Sequence, residues 1–323
     1  MSTSNYLKRI AFVGAGGNSG SYMVEALLKT GKHAVTAITR EGSTSKLPKG
    51  VDVAHVNYDN LATITKALKG HDALIITLGG RAPPDHQSKL IQAAAEAGVH
   101  WIMPNEFSPD TASEELLNDI PIFGPKKQAR EEIEKTGVCA YISLVTGFWY
   151  EWSLAIPAAY GCDFGNRTMT FFDEGETRAS TSTWQQVGRA VAGLLSLPVK
   201  AEGGDKERCL ENFKNKVVYV SSFTVTQKEM FASVLRVTGT KESDWKISKE
   251  PAVERYKTGS EAMKSGDHIG FAKMLYTRIY FPDGTGNFET NKGTVNALLG
   301  LPTEDVDEAT KRAEKRSETD PWG

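Results

Sequence analysis

An apolar run followed at once by closely spaced glycines narrows the folds open to this chain more than any other feature. Residues 9–15 read RIAFVGA, and residues 14–20, GAGGNSG, hold four glycines in seven positions. The next stretch, SGSYMVEALLKTG, has the spacing of a helix, with Met23, Leu27 and Leu28 on one face and Gly31 suited to a C-terminal cap. Strand, glycine turn and helix in this order can hold a dinucleotide. Glycine allows a tight turn and close approach of the backbone, and the helix start aims N–H groups at phosphate. The spacing separates two versions of the turn. GxGxxG would need glycine at 19, where the chain has Ser19, whereas GxxGxxG is met by Gly14, Gly17 and Gly20. Gly14, Gly17, Asn18 and Gly20 are therefore the expected phosphate-binding residues.

Strands and helices go on alternating behind this unit. AVTAIT, VDVAHVN, DALIITLG, HWIMPNE and CAYISLVTG read as strands, and NLATITKALKG, HQSKLIQAAAEAG and PKKQAREEIEKTG as the helices between them. DALIITLG is nearly all apolar, as a strand buried on both faces must be. The expected fold is α/β, a Rossmann-type doubly wound parallel sheet with a smaller interleaved substrate-binding domain. Residues 1–155 form the nucleotide-binding domain in this reading and 156–323 mainly the substrate-binding domain. Segments near 180–197 and 215–239 are expected to return to the sheet.

Charge and composition exclude several classes of function. A formal net charge of −2 offers no electrostatic footprint for nucleic acid or an anionic membrane, so a small molecule is the expected partner. No apolar run approaches the roughly 20 residues of a membrane span, and MSTSNYLKR has no apolar signal core, so a cytoplasmic protein is expected, as monomer or homodimer. Cys139, Cys162 and Cys209 lack CxxC spacing and read as buried thiols. His33, His55, His71, His86, His100 and His268 form no HxH, HExxH or HxxxH pair, and no metal site is expected. His86, in the GGRAPPDHQ loop, is a solvated histidine or one that faces the cofactor.

The end of the second strand indicates which dinucleotide is bound. An acidic residue there would bond the 2′-hydroxyl of NAD, whereas arginine can pair with the 2′-phosphate of NADP. AITREGSTSK places Arg40 at that point and Lys46 beyond a hydroxyl-rich loop, with Glu41 opposing, and NADPH is the expected cofactor. Proton transfer needs another group. The Tyr–Lys pair spaced YxxxK, common in short-chain dehydrogenases, is absent, since no tyrosine has a lysine four residues on. Pro125 suits the first position of a helix, which puts Lys126 and Lys127 in its first turn. The positive end of the helix dipole lowers the pKa of a partly buried lysine there, and this argument applies to both. Arg130, Glu131, Glu132, Glu134 and Lys135 behind them read as an exposed charged face. Trp149, Tyr150 and Trp152 in GFWYEW, with Phe171 and Phe172, could wall a pocket for a flat aromatic substrate, Tyr150 serving as an additional donor.

The ordered set GAGGNSG, Arg40, HQSKLIQAAAEAG, PNEFSPD, KKQAREEIE, YISLVTGFWY and GLPTEDVDEATKRA resembles the NmrA-like and isoflavone-reductase-like group of atypical short-chain dehydrogenases, particularly its fungal members. In the plant reductases a PSEFG strand end precedes a lysine in KxxxRRxIE that acts as acid or base. Alignment on Arg130, Ile133 and Glu134 selects Lys126. The resemblance also implies cofactor contacts from Gln87, Asn105, Phe107, Lys126, Thr146 and Phe148, with Gly79 at the same sheet edge. Asn105 stands where that motif has serine, Ser108 where it has glycine, Glu131 replaces the second arginine, and Thr146 the usual asparagine. The implied activity is NADPH-dependent hydride transfer to a conjugated carbon of a small secondary metabolite, with Lys126 moving the proton. The alternative that the resemblance allows is an NAD(P)-sensing regulator that binds a protein partner.

Overall fold

The computed structural model describes residues 4–204 and 206–319, so the outer ends of the two expected domains, 1–3 and 320–323, lie outside the described residues. Its first half runs β1 (Arg9–Val13), α1 (Asn18–Lys29), β2 (Ala34–Arg40), β3 (Asp52–Val56), α2 (Leu61–Leu68), β4 (Ala73–Ile76), α3 (His86–Ala97), β5 (Trp101–Met103), α4 (Glu114–Asp119), α5 (Gly124–Lys135) and β6 (Ala140–Val145). The strand Lys216–Tyr219 completes a seven-stranded sheet ordered Lys216–Tyr219, β6, β5, β4, β1, β2, β3. Every pairing in it is parallel. This is a doubly wound α/β architecture.

Helices cover both faces, which is why the central strands are apolar along their length rather than alternating. On one face α1 and the helix Trp184–Leu195 bury Met23, Leu27, Val187, Val191 and Leu194 against the sheet. On the other, α2, α3 and α5 contribute Ile64, Leu68, Leu90 and Ile133. The chain builds outward from β1 through β2 and β3, then crosses back to add β4, β5 and β6 on the other side. The order therefore reverses between β1 and β4, and in such sheets the crevice beyond the carboxyl ends of those strands receives ligands.

Gly147 is the point of departure from the sheet. It takes a left-handed φ of +68°, and a Cβ there would lie 2.1 Å from the Ser180 carbonyl oxygen. The chain then enters a second core built around Tyr160, Phe172, Tyr276 and Tyr280. Two three-stranded sheets flank it, Phe223–Val225 with Ala179–Ser182 and Phe148–Trp149, and Lys246–Glu250 with Thr168–Phe172 and Cys162–Asp163. Within residues 215–239 only the strand Lys216–Tyr219 pairs with β6. The helix Gln227–Thr238 does not return with it, because its apolar side chains Met230, Phe231 and Val234 are buried in the second core. Cys139, Cys162 and Cys209 are buried free thiols. No helix among the described residues is long and apolar enough to cross a membrane.

Candidate active site

The glycine turn closes between β1 and β4 because side chains would not fit there. Gly14 adopts φ +83°, and a Cβ on it would lie 2.0 Å from the Thr77 carbonyl oxygen just beyond β4. A Cβ on Gly20 would lie 2.1 Å from the Gly14 carbonyl oxygen, so that glycine lets α1 sit directly on the turn. The turn is closed by the Gly17 N–H, which donates to Gly14 O at 2.9 Å. Gly17 is also the N-cap of α1 and supplies no capping side chain, and the first turn, from Asn18, holds no acidic residue. Such a helix start can receive a phosphate.

Arg40 ends β2 at the same edge, paired in register with Val56, and its side chain is exposed. Lys46 is exposed too, and its carbonyl oxygen lies 2.6 Å from where a Cβ of Gly16 would stand, which lays the 43–47 loop along the turn. Neither cation has an ion-pair partner among the described residues. Two unpaired cations beside a helix N-terminus suit a dinucleotide that carries an extra phosphate.

From the turn a continuous set of contacts leads to Lys126. Gly14 meets Thr77; the next residue, Leu78, is clasped by Asn105, whose Nδ2 donates to Leu78 O at 3.0 Å and whose Oδ1 accepts the Leu78 N–H at 3.2 Å. Gln87 at the start of α3 accepts the Asn105 N–H at 2.8 Å. Lys126, in the first turn of α5, donates from Nζ to Asn105 O at 2.7 Å and also to Glu106 O. Burial of its ammonium lowers the pKa, the Arg130 guanidinium lowers it further, and the Glu106 carboxylate acts in the opposite direction. Lys127 points elsewhere, to an exposed ion pair with Glu114 at 3.0 Å.

Arg130 departs from the expected exposed face. It is buried, donating from Nη1 to Glu106 Oε2 and to Thr111 Oγ1, each at 2.7 Å, and from Nη2 to Thr111 O at 2.9 Å. Ser143 of β6 donates to the same Glu106 oxygen at 3.0 Å. Sequence pattern alone assigns neither Glu106 nor Arg130 to the site. The available signal was their spacing, since Arg130 is four residues beyond Lys126 and so shares its helix face. Phe107, next in the turn, takes φ +32° while its N–H donates to Leu144 O at 3.1 Å. A bulky residue in that conformation is strained, and such strain clusters at functional sites.

The remaining candidates disperse. Gly79 is exposed beyond β4. Thr146 is fully buried, its N–H donating to Ser108 O at 3.1 Å. Phe148 packs on Tyr276, ring centres 4.2 Å apart, in the second core. Tyr150 is a correction, because its ring is buried and its hydroxyl bonds Thr310 Oγ1 at 2.8 Å, which leaves it no open face for a substrate. Trp152 meets Trp184 edge-on and carries the Arg316 guanidinium 4.0 Å above its ring, a stack under the C-terminal helix rather than a pocket wall. Trp149 is half-buried against the first core. His86 stacks on Tyr58 with ring centres 3.9 Å apart. Among the described residues no group of three His, Cys, Asp or Glu side chains could hold a metal ion.

Comparison with known proteins adds kinship to this geometry. Residues 7–158 match the NmrA-like family. Oxidoreductase aprR of Aspergillus flavus is 28% identical over 304 residues, 93% of this chain and 96% of that protein. The crystal structure of an isoflavone reductase superposes with a TM-score of 0.74 at 22% identity, covering 94% of this chain and 98% of the other. The NADPH-dependent quinone oxidoreductase QOR2 of Escherichia coli, solved with NADPH, gives a TM-score of 0.66 at 19% identity, covering 93% and 98%.

Proposed function

We propose that this chain, NmrA-like across residues 7–158 and an oxidoreductase by kinship, is an NADPH-dependent reductase of small conjugated metabolites, with Lys126 as proton donor. The observation that carries the reading is the Lys126 ammonium, held on two backbone carbonyls and joined through Asn105, Leu78 and Thr77 to the glycine turn. A lysine so placed has a lowered pKa and gives up its proton more readily than a solvated one. A sensing role would not require a proton donor there.

Gly14, Gly17, Asn18 and Gly20 would cradle the pyrophosphate, Arg40 and Lys46 the 2′-phosphate, and Gly79, Gln87, Asn105 and Phe107 would line the edge leading to the nicotinamide. Thr146 is fully buried and Phe148 is packed in the second core, so neither is counted among these contacts. The chemistry that NADPH would supply when held there is a hydride for an electrophilic carbon. Lys126 gives its proton to the atom that takes up the resulting negative charge and regains one from solvent, so substrate, NADPH and one proton become reduced product and NADP+. An enone, imine, quinone or quinone methide has the required electrophilic carbon, and the Escherichia coli relative named quinone oxidoreductase 2, 26% identical over 91% of this chain, supports this class.

Arg40→Ala is expected to weaken NADPH binding by about tenfold, the loss of one charge-assisted contact, and to leave NADH affinity unchanged. Parallel fluorescence titrations check it; an equal loss for both dinucleotides would remove Arg40 from the phosphate site. The function itself is tested by following NADPH absorbance with a panel of enones, imines, quinones and quinone methides. Consumption with at least one class is expected. Tight dinucleotide binding with no consumption across the panel would favour the sensing role.

A further inference from the structure

Buried charge pairs are costly to assemble, so a pair inside a candidate site calls for a reason. The side chains of Glu106 and Arg130 meet at 2.7 Å with almost no solvent exposure, 0% and 9% respectively. Around them Ser143 and Thr111 complete the bonding of both groups. The carboxylate thus ties the turn after β5 to β6 and α5, while the main-chain carbonyl of the same residue accepts from Lys126 Nζ. One residue joins the interior lock to the ammonium.

We propose that the Glu106–Arg130 pair is the positioning device of Lys126, locking the turn whose carbonyls hold the ammonium and balancing the charge beneath it. This rests on Lys126 being the proton donor. Neither residue touches substrate or cofactor in this account; both act through Lys126. Removing one member breaks the lock and also changes the local charge, and the two removals change that charge in opposite senses. Without the Glu106 carboxylate, Lys126 stands over an unopposed guanidinium and loses its proton at lower pH. Without the Arg130 guanidinium it stands over an unopposed carboxylate and holds its proton to higher pH. The other titratable groups that interact with the pair are Asp110, Tyr219 and Tyr141, and each substitution leaves them in place.

The test reads Lys126 directly and needs no substrate. In protein labelled with [13Cε]lysine, the Lys126 resonance is assigned by its absence from Lys126→Arg, and its titration midpoint is followed by NMR. The wild-type midpoint should lie below the ordinary lysine value of about 10.4. Glu106→Gln is expected to lower it by about 1 pH unit and Arg130→Met to raise it by about as much. Arg130→Lys, which keeps the charge, should stay close to wild type. The double variant Glu106→Gln/Arg130→Met lacks both charges, so its midpoint should fall between those of the two single variants, and it carries the test with Arg130→Met if Glu106→Gln does not fold. A purely structural pair would move both single variants in the same direction or not at all, and either result overturns the proposal. Turnover retained in Lys126→Ala would instead defeat the underlying assignment of the proton donor, whatever the titrations show.

Discussion

Lys126→Ala is expected to lower turnover by about 100- to 10,000-fold, the usual contribution of a positioned acid, while NADPH affinity stays within about twofold. The two effects separate because the phosphate cradle is built by Gly14, Gly20 and the start of α1, none of which depends on the lysine side chain. The carbonyls of Asn105 and Glu106 that lose the ammonium can take water in its place, which limits the structural damage. Lys126→Arg should be nearly as slow as alanine, since a guanidinium keeps the charge and does not release its proton. Lys127→Ala serves as the control and should leave turnover unchanged, its ammonium being tied to Glu114 on the exposed side of α5. Steady-state rates and NADPH titrations on the three variants check the set. Full activity in Lys126→Ala would remove the proton donor from this account.

The second large effect lies away from the chemistry. Glu151 is 2% exposed; its Oε1 accepts the Trp184 N–H at 3.1 Å and its Oε2 has no hydrogen-bond partner among the described residues. Burial pushes its carboxyl up to about 7, against the pull of the Trp184 N–H and of Arg312, with Glu304 adding to the rise. The folded chain therefore holds a proton that the unfolded chain has already lost. Stability from this group is complete below the unfolded value of 4.5, falls as pH rises toward about 7, and is flat beyond. The slope is about 1.4 kcal/mol per pH unit and the total about 3 kcal/mol. Glu151→Gln keeps an oxygen for Trp184 and removes the ionisation, so it should flatten the loss and stabilise the chain most at pH 8. Urea unfolding of both proteins between pH 5 and 8 measures the difference. Parallel pH profiles for the two would contradict the assignment.

How far the sequence discloses such features depends on how local their causes are. The glycine turn is legible because its glycines recur at a fixed short spacing between an apolar strand and a helix, even though the contact that requires Gly14 comes from Thr77, 63 residues away. The central strands are legible for a similar reason, as burial on both faces makes them apolar throughout. Lys126 could be narrowed only to a pair with Lys127 by spacing; resemblance chose between them, and the structure sends the two ammonium groups to different partners. Arg130 was misread because its partner, Glu106, lies 24 residues away, and nothing local distinguishes a buried arginine from its exposed neighbours. The GFWYEW aromatics failed as a pocket for a related reason. Aromatic rings serve cores and pockets alike, and what decides for Tyr150 is Thr310, 160 residues away on the C-terminal helix. The helix Gln227–Thr238 likewise follows its strand in sequence and leaves it in space.

If the glycine turn with Arg40 and Lys46 holds NADPH for a reductive step, a parallel titration of the purified chain with NADPH, NADP+, NADH and NAD+ reads it out. Both phosphorylated forms are expected to bind tightly, and NADH and NAD+ more weakly by about tenfold or more. Equal affinity with and without the 2′-phosphate, together with a preference for the oxidised forms, would contradict it.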